Sequence, residues 1–182
     1  MQFPFLFKNY LINRIIFFME KYKEEIFNNF NISIALYRPE IPANTGNIGR
    51  LCVGLGITLH IVSKPSFILS SKEIRRAGLD YWENLNLIKH ENENTFLEYS
   101  KKNNLRIVPV SKFGNIRFDK FDYSNKDIFL FGRESSGLRE SLWENNLDNS
   151  IYIPMSDKVR SINLSNSAAI ISYEALKRIK LL

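Results

Sequence analysis

The chain has 182 residues, 45% of them hydrophobic, which is enough for one domain with a continuous core. Lysine and arginine number 25 against 19 acids, a net charge of +6 that favours a polyanionic partner without demonstrating one. The lone cysteine, Cys52, excludes an internal disulfide framework, fits a reducing cytoplasm, and is expected to serve packing.

The segment Phe3–Met19 is apolar and aromatic, but Lys8, Asn9, Asn13 and Arg14 interrupt it and no small-residue cleavage site follows. It falls short of the ~20 nearly uninterrupted apolar residues of a spanning helix, so no membrane span is expected, although an amphipathic surface helix would fit. Residues 1–31 are read as an N-terminal extension ahead of a domain over 32–182. Met19 offers a further reading, in which the upstream residues are a mis-start; N-terminal sequencing of the native protein tests this, and recovery of residues 1–18 would refute it.

Beyond the extension, β-rich runs alternate with helical patterns. ISIALY at 32–37 precedes a helix near 45–55; TLHIVS at 58–63 precedes a short helix at 72–78. LNLI at 85–88, LRIVPV at 105–110, IFLFG at 128–132 and IYIP at 151–154 read as buried strands, with helices near 94–103, 138–145 and 163–180. Strands separated by helical connections predict an α/β fold, a parallel sheet flanked by helices. Ligands of such sheets gather beyond the strand C-termini.

Three loops are candidates for that role. RPEIPANTGNIGRLC leaves the first strand through Pro39 and Pro42, which are expected to bar early helix formation, and enters a helix with Ile48, Leu51, Cys52 and Leu55 on its apolar face. Asn44, Asn47 and Arg50 recur every third residue and form a drifting polar stripe that could meet a ribose or phosphate; capping and solvation are the plain alternative. Gly46, Gly49 and Gly54 are costly in a helix, which suggests close approach by another group, whereas Gly56 reads as a C-cap. LFGRESSGL places Gly132 where the chain leaves the sheet, and its one acid, Glu134, could bind a hydroxyl, pair with an arginine or simply sit in a turn. In IPMSDKVRSINLSN, Ser161, Asn163, Ser165 and Asn166 crowd a helix start, a place that favours electron-rich ligands and equally favours plain capping.

Neither phosphate-loop pattern, G-x-x-x-x-G-K-[ST] or G-x-G-x-x-G, occurs, and there is no G-x-S-x-G elbow or evident Ser/His/Asp grouping. His60 and His90 stand far apart in sequence and read as structural, and no metal-ligand spacing is present, so no metal is expected. Chemistry would then come from a bound cofactor.

PEIPANTGNIGRLC, RRAGLDYWE, FGRESSGL and IPMSDKVRSINLSN, in that order between about Ile32 and Lys177, resemble four motifs of the SPOUT class of RNA ribose methyltransferases. The resemblance is closest to the small tRNA enzymes that methylate the wobble ribose 2′-hydroxyl. It implies a C-terminal deep trefoil knot, which general topology rules argue against, S-adenosylmethionine held by the knotted loops, a homodimer, and the anticodon stem-loop of tRNA as substrate. Carried over residue by residue, it implies cofactor contacts at Pro109, Gly132, Ile153 and Ser161, mostly through backbone; Pro109, lacking an N–H, would offer only its carbonyl and ring. It gives Arg50, Asn44, Glu134 and Asn163 catalytic positions, with Ser161 completing the polar surround.

A guanidinium is a poor base, so Arg50 is better suited to orient the ribose and stabilise a developing alkoxide. Arg133 stands where relatives often have proline or a small residue, and is expected to change the rim only. Ser165, Ser167, Ala168 and Ala169 would allow close helix approach, and Tyr173 falls near the implied dimer interface, with a core tyrosine as its alternative. Lys177, Arg178 and Lys180 suit the C-terminal end of the helix dipole and could touch phosphate. Rival readings are a ribose methyltransferase for ribosomal RNA or another tRNA position, and a non-catalytic RNA-binding homologue.

Overall fold

The computed structural model describes residues 31–69 and 79–179. Residues 1–30 of the extension, the short helix expected at 72–78, the RRAG of RRAGLDYWE and Lys180–Leu182 lie outside them.

The strands are β1 (Ser33–Tyr37), β2 (Thr58–Val62), β3 (Leu87–His90), β4 (Arg106–Val110), β5 (Ile116–Arg117), β6 (Asp127–Phe131) and β7 (Ile151–Tyr152). They form one sheet in the order β3-β2-β1-β6-β4-β7-β5, with parallel pairing throughout. Every residue of β1 and of β6 is buried. That is why these runs are apolar on both alternating faces: a parallel sheet covered on two sides leaves no polar side.

The helices are α1 (Pro42–Leu55), α2 (Glu93–Lys102), α3 (Glu140–Trp143) and α4 (Leu164–Arg178). Ile34, Leu36, Phe129 and Phe131 point to one face of the sheet and pack with Ile48 and Cys52 of α1 and Ala168 and Ile171 of α4. Ala35, Tyr37, Ile128 and Leu130 point to the other, against Phe96 of α2 and Leu142 of α3. Cys52 is fully enclosed in the first of these clusters, and burial pushes its thiol pKa up, as a packing role requires.

The expected helix at 45–55 begins earlier. Pro42 occupies the first turn of α1, where a missing N–H costs nothing, so it opens the helix that it was expected to delay. Gly56 ends α1 in the left-handed region at φ 66°, and a Cβ on Gly49 would stand 2.9 Å from the Trp82 ring. A Cβ on Gly54, in contrast, meets nothing within 4 Å. The expected helix at 138–145 is a single α turn followed by a 3-10 segment, Glu144–Asn149, kinked at Asn146 (φ −128°, ψ 18°). Strand β5 has two residues and left no periodic signal.

Candidate active site

Because the sheet is parallel, the loops after β1, β4, β6 and β7 leave from one edge. They enclose a cavity of about 640 Å³, within the range of small-ligand sites. Asn44, Gly132, Glu134, Ile153, Ser161 and Asn163 all line it. Two expected residues do not. Pro109 is buried inside β4 opposite Leu130, one position short of the strand end, and the wall there is built by Val110, Ser111, Lys112 and Phe113. Arg50 lies six residues, less than two turns, along α1 from Asn44 and faces elsewhere.

Glu134 holds the start of α1. Its Oε2 accepts from the Glu40 backbone N–H at 2.9 Å; its Oε1 accepts from the Ile41 N–H at 3.3 Å and from Asn44 Nδ2 at 3.1 Å. Ile41, the N-cap residue, makes no side-chain cap of its own, so a carboxylate from another loop does the capping and complements the helix dipole. The contacts continue: Asn163 Nδ2 donates to Asn44 Oδ1 at 3.0 Å, and Asn163 Oδ1 caps α4 by accepting from Ser165 N at 2.9 Å and Asn166 N at 3.3 Å. Capping and site-building, rival readings of Asn163 in the sequence, are one arrangement. Asn44 is 6% exposed, so its amide is held by these two partners.

A second carboxylate runs the opposite way. Glu40 accepts from Ser135 N at 2.8 Å, from Ser135 Oγ at 2.9 Å and from the Arg133 guanidinium. The two Ser135 hydrogen bonds, and then Arg133, hold the Glu40 carboxyl below its usual range. The loops after β1 and β6 thus exchange acids, each loop's carboxylate held by the other. Arg133 ties the rim and stays off the cavity wall. Gly132 is required by the same tight turn, because a Cβ there would stand 2.1 Å from the Gly137 carbonyl carbon.

Glu40, Ser135, Trp143 and Phe113 carry no motif or spacing of their own in the sequence. The only available signal was that Glu40 and Ser135 flank residues already singled out. Leu138, Trp143, Ile153 and Met155 give the cavity an apolar wall for a flat ring, with hydroxyls from Ser111, Ser135 and Ser161 around it and Glu134 as nearby negative charge. That set fits a nucleoside-sized ligand.

The sequence pattern of the SpoU rRNA Methylase family matches residues 31–173. The chain belongs to this family. A Bacillus subtilis relative is 45% identical over 150 residues, covering 81% of this chain and 92% of its own length. The tRNA (cytidine(34)-2′-O)-methyltransferase of Escherichia coli is 38% identical over 149 residues, covering 81% of this chain and 94% of its own. A solved structure described as "Structural insights into the 2-OH methylation of C/U34 on tRNA" superposes with a TM-score of 0.78 at 35% identity, covering 82% of this chain and 97% of that one. These findings bear out the resemblance read from the four motifs.

In this SpoU-family chain Arg50 lines a separate shallow groove between α1 and α4, with Asn47, Gly54, Ser165, Asn166, Ala169 and Tyr173. Its guanidinium lies 5.2 Å from the Tyr81 ring centre. Tyr173 is 53% exposed there, not a core tyrosine, while Ala168 turns inward to the core. The two histidines, distant in sequence, meet: His60 Nδ1 and His90 Nε2 are 3.0 Å apart, buried against Phe96 and Tyr99. Among the described residues no group of three or more His, Cys, Asp or Glu could hold a metal, and no helix is long and apolar enough to cross a membrane.

Proposed function

We propose that this chain transfers a methyl group from S-adenosylmethionine to the ribose 2′-hydroxyl of the wobble nucleotide, cytidine or uridine 34, of tRNA. The observation that carries the reading is the Glu134–Asn44–Asn163 chain of hydrogen bonds at one end of a nucleoside-sized cavity, in a chain 38% identical to an enzyme named for that reaction.

The cofactor supplies a methyl group carried on a sulfonium. Gly132, Ile153 and Ser161 would hold it, with Val110 and Ser111 in the place first expected of Pro109, while the apolar wall keeps water from its ring. Asn44 and Asn163 present amides fixed in one orientation, so little reorganisation is needed when the acceptor ribose arrives. Arg50 orients that ribose and stabilises negative charge developing on its 2′-oxygen, while the hydroxyl proton passes to water.

Arg50 faces away from the cavity of its own subunit, and this supports a homodimer in which each subunit's Arg50 completes the site of the other. Ile170 and Tyr173, both exposed on α4 beside the Arg50 groove, supply apolar contact area for that pairing. The C-terminal segment is assigned the deep trefoil knot of the class, and the cytoplasm is the assigned compartment, where tRNA is found. Residues 32–182 are the catalytic domain, with 1–31 as an extension.

Purified protein incubated with labelled S-adenosylmethionine and unmodified tRNA tests the reading, with the methylated nucleotide mapped by mass spectrometry. A 2′-O-methyl group at the wobble nucleotide supports it. Label at another position or in ribosomal RNA moves the substrate to a sister activity, and cofactor-independent RNA binding without label makes the chain a non-catalytic RNA binder.

A further inference from the structure

The mouth of the cavity carries a feature that the methyl transfer does not require. Ser111–Gly114 form a tight turn closed by Gly114 N–H donating to the Ser111 carbonyl at 3.0 Å, with the Phe113 N–H on Ser111 Oγ at 3.2 Å. The turn is docked rigidly on β7. Asn115 N–H reaches the Ser150 carbonyl and Oγ at 3.1 and 3.0 Å, and a Cβ on Gly114 would collide with the Ile151 carbonyl at 2.4 Å. This well-held turn presents Phe113 to solvent, 68% exposed, on the cavity wall. Lys112, next to it, places its ammonium 4.9 Å from the Phe113 ring centre, and Arg160 stands on the same wall.

The ring is held exposed by a hydrogen-bonded turn at the cavity, so a ligand can meet it with little further ordering of the chain. An aromatic face flanked by cations is the combination that binds unpaired nucleic acid: the ring stacks on a base and the cations take the flanking phosphates. We infer that Lys112, Phe113 and Arg160 form a nucleotide clamp, in which Phe113 stacks on an unpaired base of the loop carrying the acceptor ribose. The clamp rests on the methyltransferase reading. It adds a docking site for RNA on the wall of the same cavity, beside the residues given to the cofactor.

The test measures binding of an unmodified anticodon stem-loop, and separately of S-adenosylmethionine by calorimetry, to the full chain and its variants. Phe113→Ala is expected to weaken stem-loop binding about 10-fold or more and to raise KM for RNA, with cofactor affinity unchanged. Phe113→Tyr restores binding, and Phe113→Leu, which keeps apolar bulk without a π face, does not. Lys112→Ala and Arg160→Ala each lower the salt dependence of binding by about one ion. Unchanged stem-loop affinity in Phe113→Ala overturns the inference, as does equal rescue by leucine and tyrosine. Loss of cofactor affinity alone would make Phe113 a cover for the cofactor. If the wild-type chain methylates the stem-loop while Phe113→Ala behaves normally, only the clamp fails; if the wild-type chain does not bind it, the methyltransferase reading fails too.

Discussion

Both carboxylate oxygens of Glu134 are taken by donors at the start of α1, so this residue acts through Asn44 and needs no contact with substrate. Glu134→Ala leaves two backbone N–H groups and one amide without their acceptor, and is expected to cost about 1–2 kcal/mol in urea unfolding. Asn44→Ala disturbs the same chain of contacts. The effects of the two substitutions on turnover are therefore expected to be non-additive, the double variant losing little more than the worse single one. Additive losses would make Glu134 and Asn44 independent. Arg50→Ala is expected to lower turnover by at least about 100-fold with cofactor affinity nearly intact, because its charge bears on the developing oxyanion and not on the cavity. Single-turnover kinetics and calorimetry separate the two quantities. The sequence exposed Asn44, Glu134 and Asn163 as polar residues at loop ends, but Glu134 and Asn44 are 90 positions apart and Asn163 and Asn44 are 119, so only tertiary structure could join them.

At the scale of elements, the buried strands were legible because β1 and β6 are apolar on both faces, a pattern that a covered parallel sheet imposes. Helix starts were less so. Pro42 reads equally well as a barrier and as a first-turn residue, and the cap that decides between them comes from Glu134 in a distant loop. The His60–His90 contact joins β2 to β3 beneath α2 and was hidden for the same reason. Burial, and then the neighbouring His90, lower the His60 pKa from 6.5 to about 4, and burial lowers that of His90. Below pH 6.5 the unfolded chain takes up protons that the folded pair refuses. Stability is therefore full above about pH 6.5 and falls as the pH drops from there towards 4, by on the order of 3 kcal/mol for His60. Thermal midpoints between pH 7.5 and 5.5 are expected to decline in the wild-type chain and to decline less in His60→Phe/His90→Phe. Equal slopes would remove the pair as the cause.

For the whole molecule, composition and alternation led to an α/β parallel sheet, and this is the architecture present. Strand order was beyond them, since β6 lies between β1 and β4 and β7 beyond β4, an arrangement set by long-range packing and not by local propensity. Subunit pairing has its own test. A chain carrying Arg50→Ala keeps an intact cavity, and one carrying a bulky substitution at Gly132 keeps an intact Arg50. If Arg50 acts across the dimer, co-refolding the two inactive variants restores about a quarter of wild-type activity, because mixed dimers hold one complete site. No recovery, with mixed dimers present, would place Arg50 in the site of its own subunit.

If the acceptor is one ribose hydroxyl, two anticodon stem-loops that differ only in a 2′-deoxyribose at the wobble position must behave differently. Methyl transfer to the ribose form and none to the deoxy form is expected, with both binding comparably; equal labelling of the two would rule out the wobble 2′-hydroxyl as the acceptor.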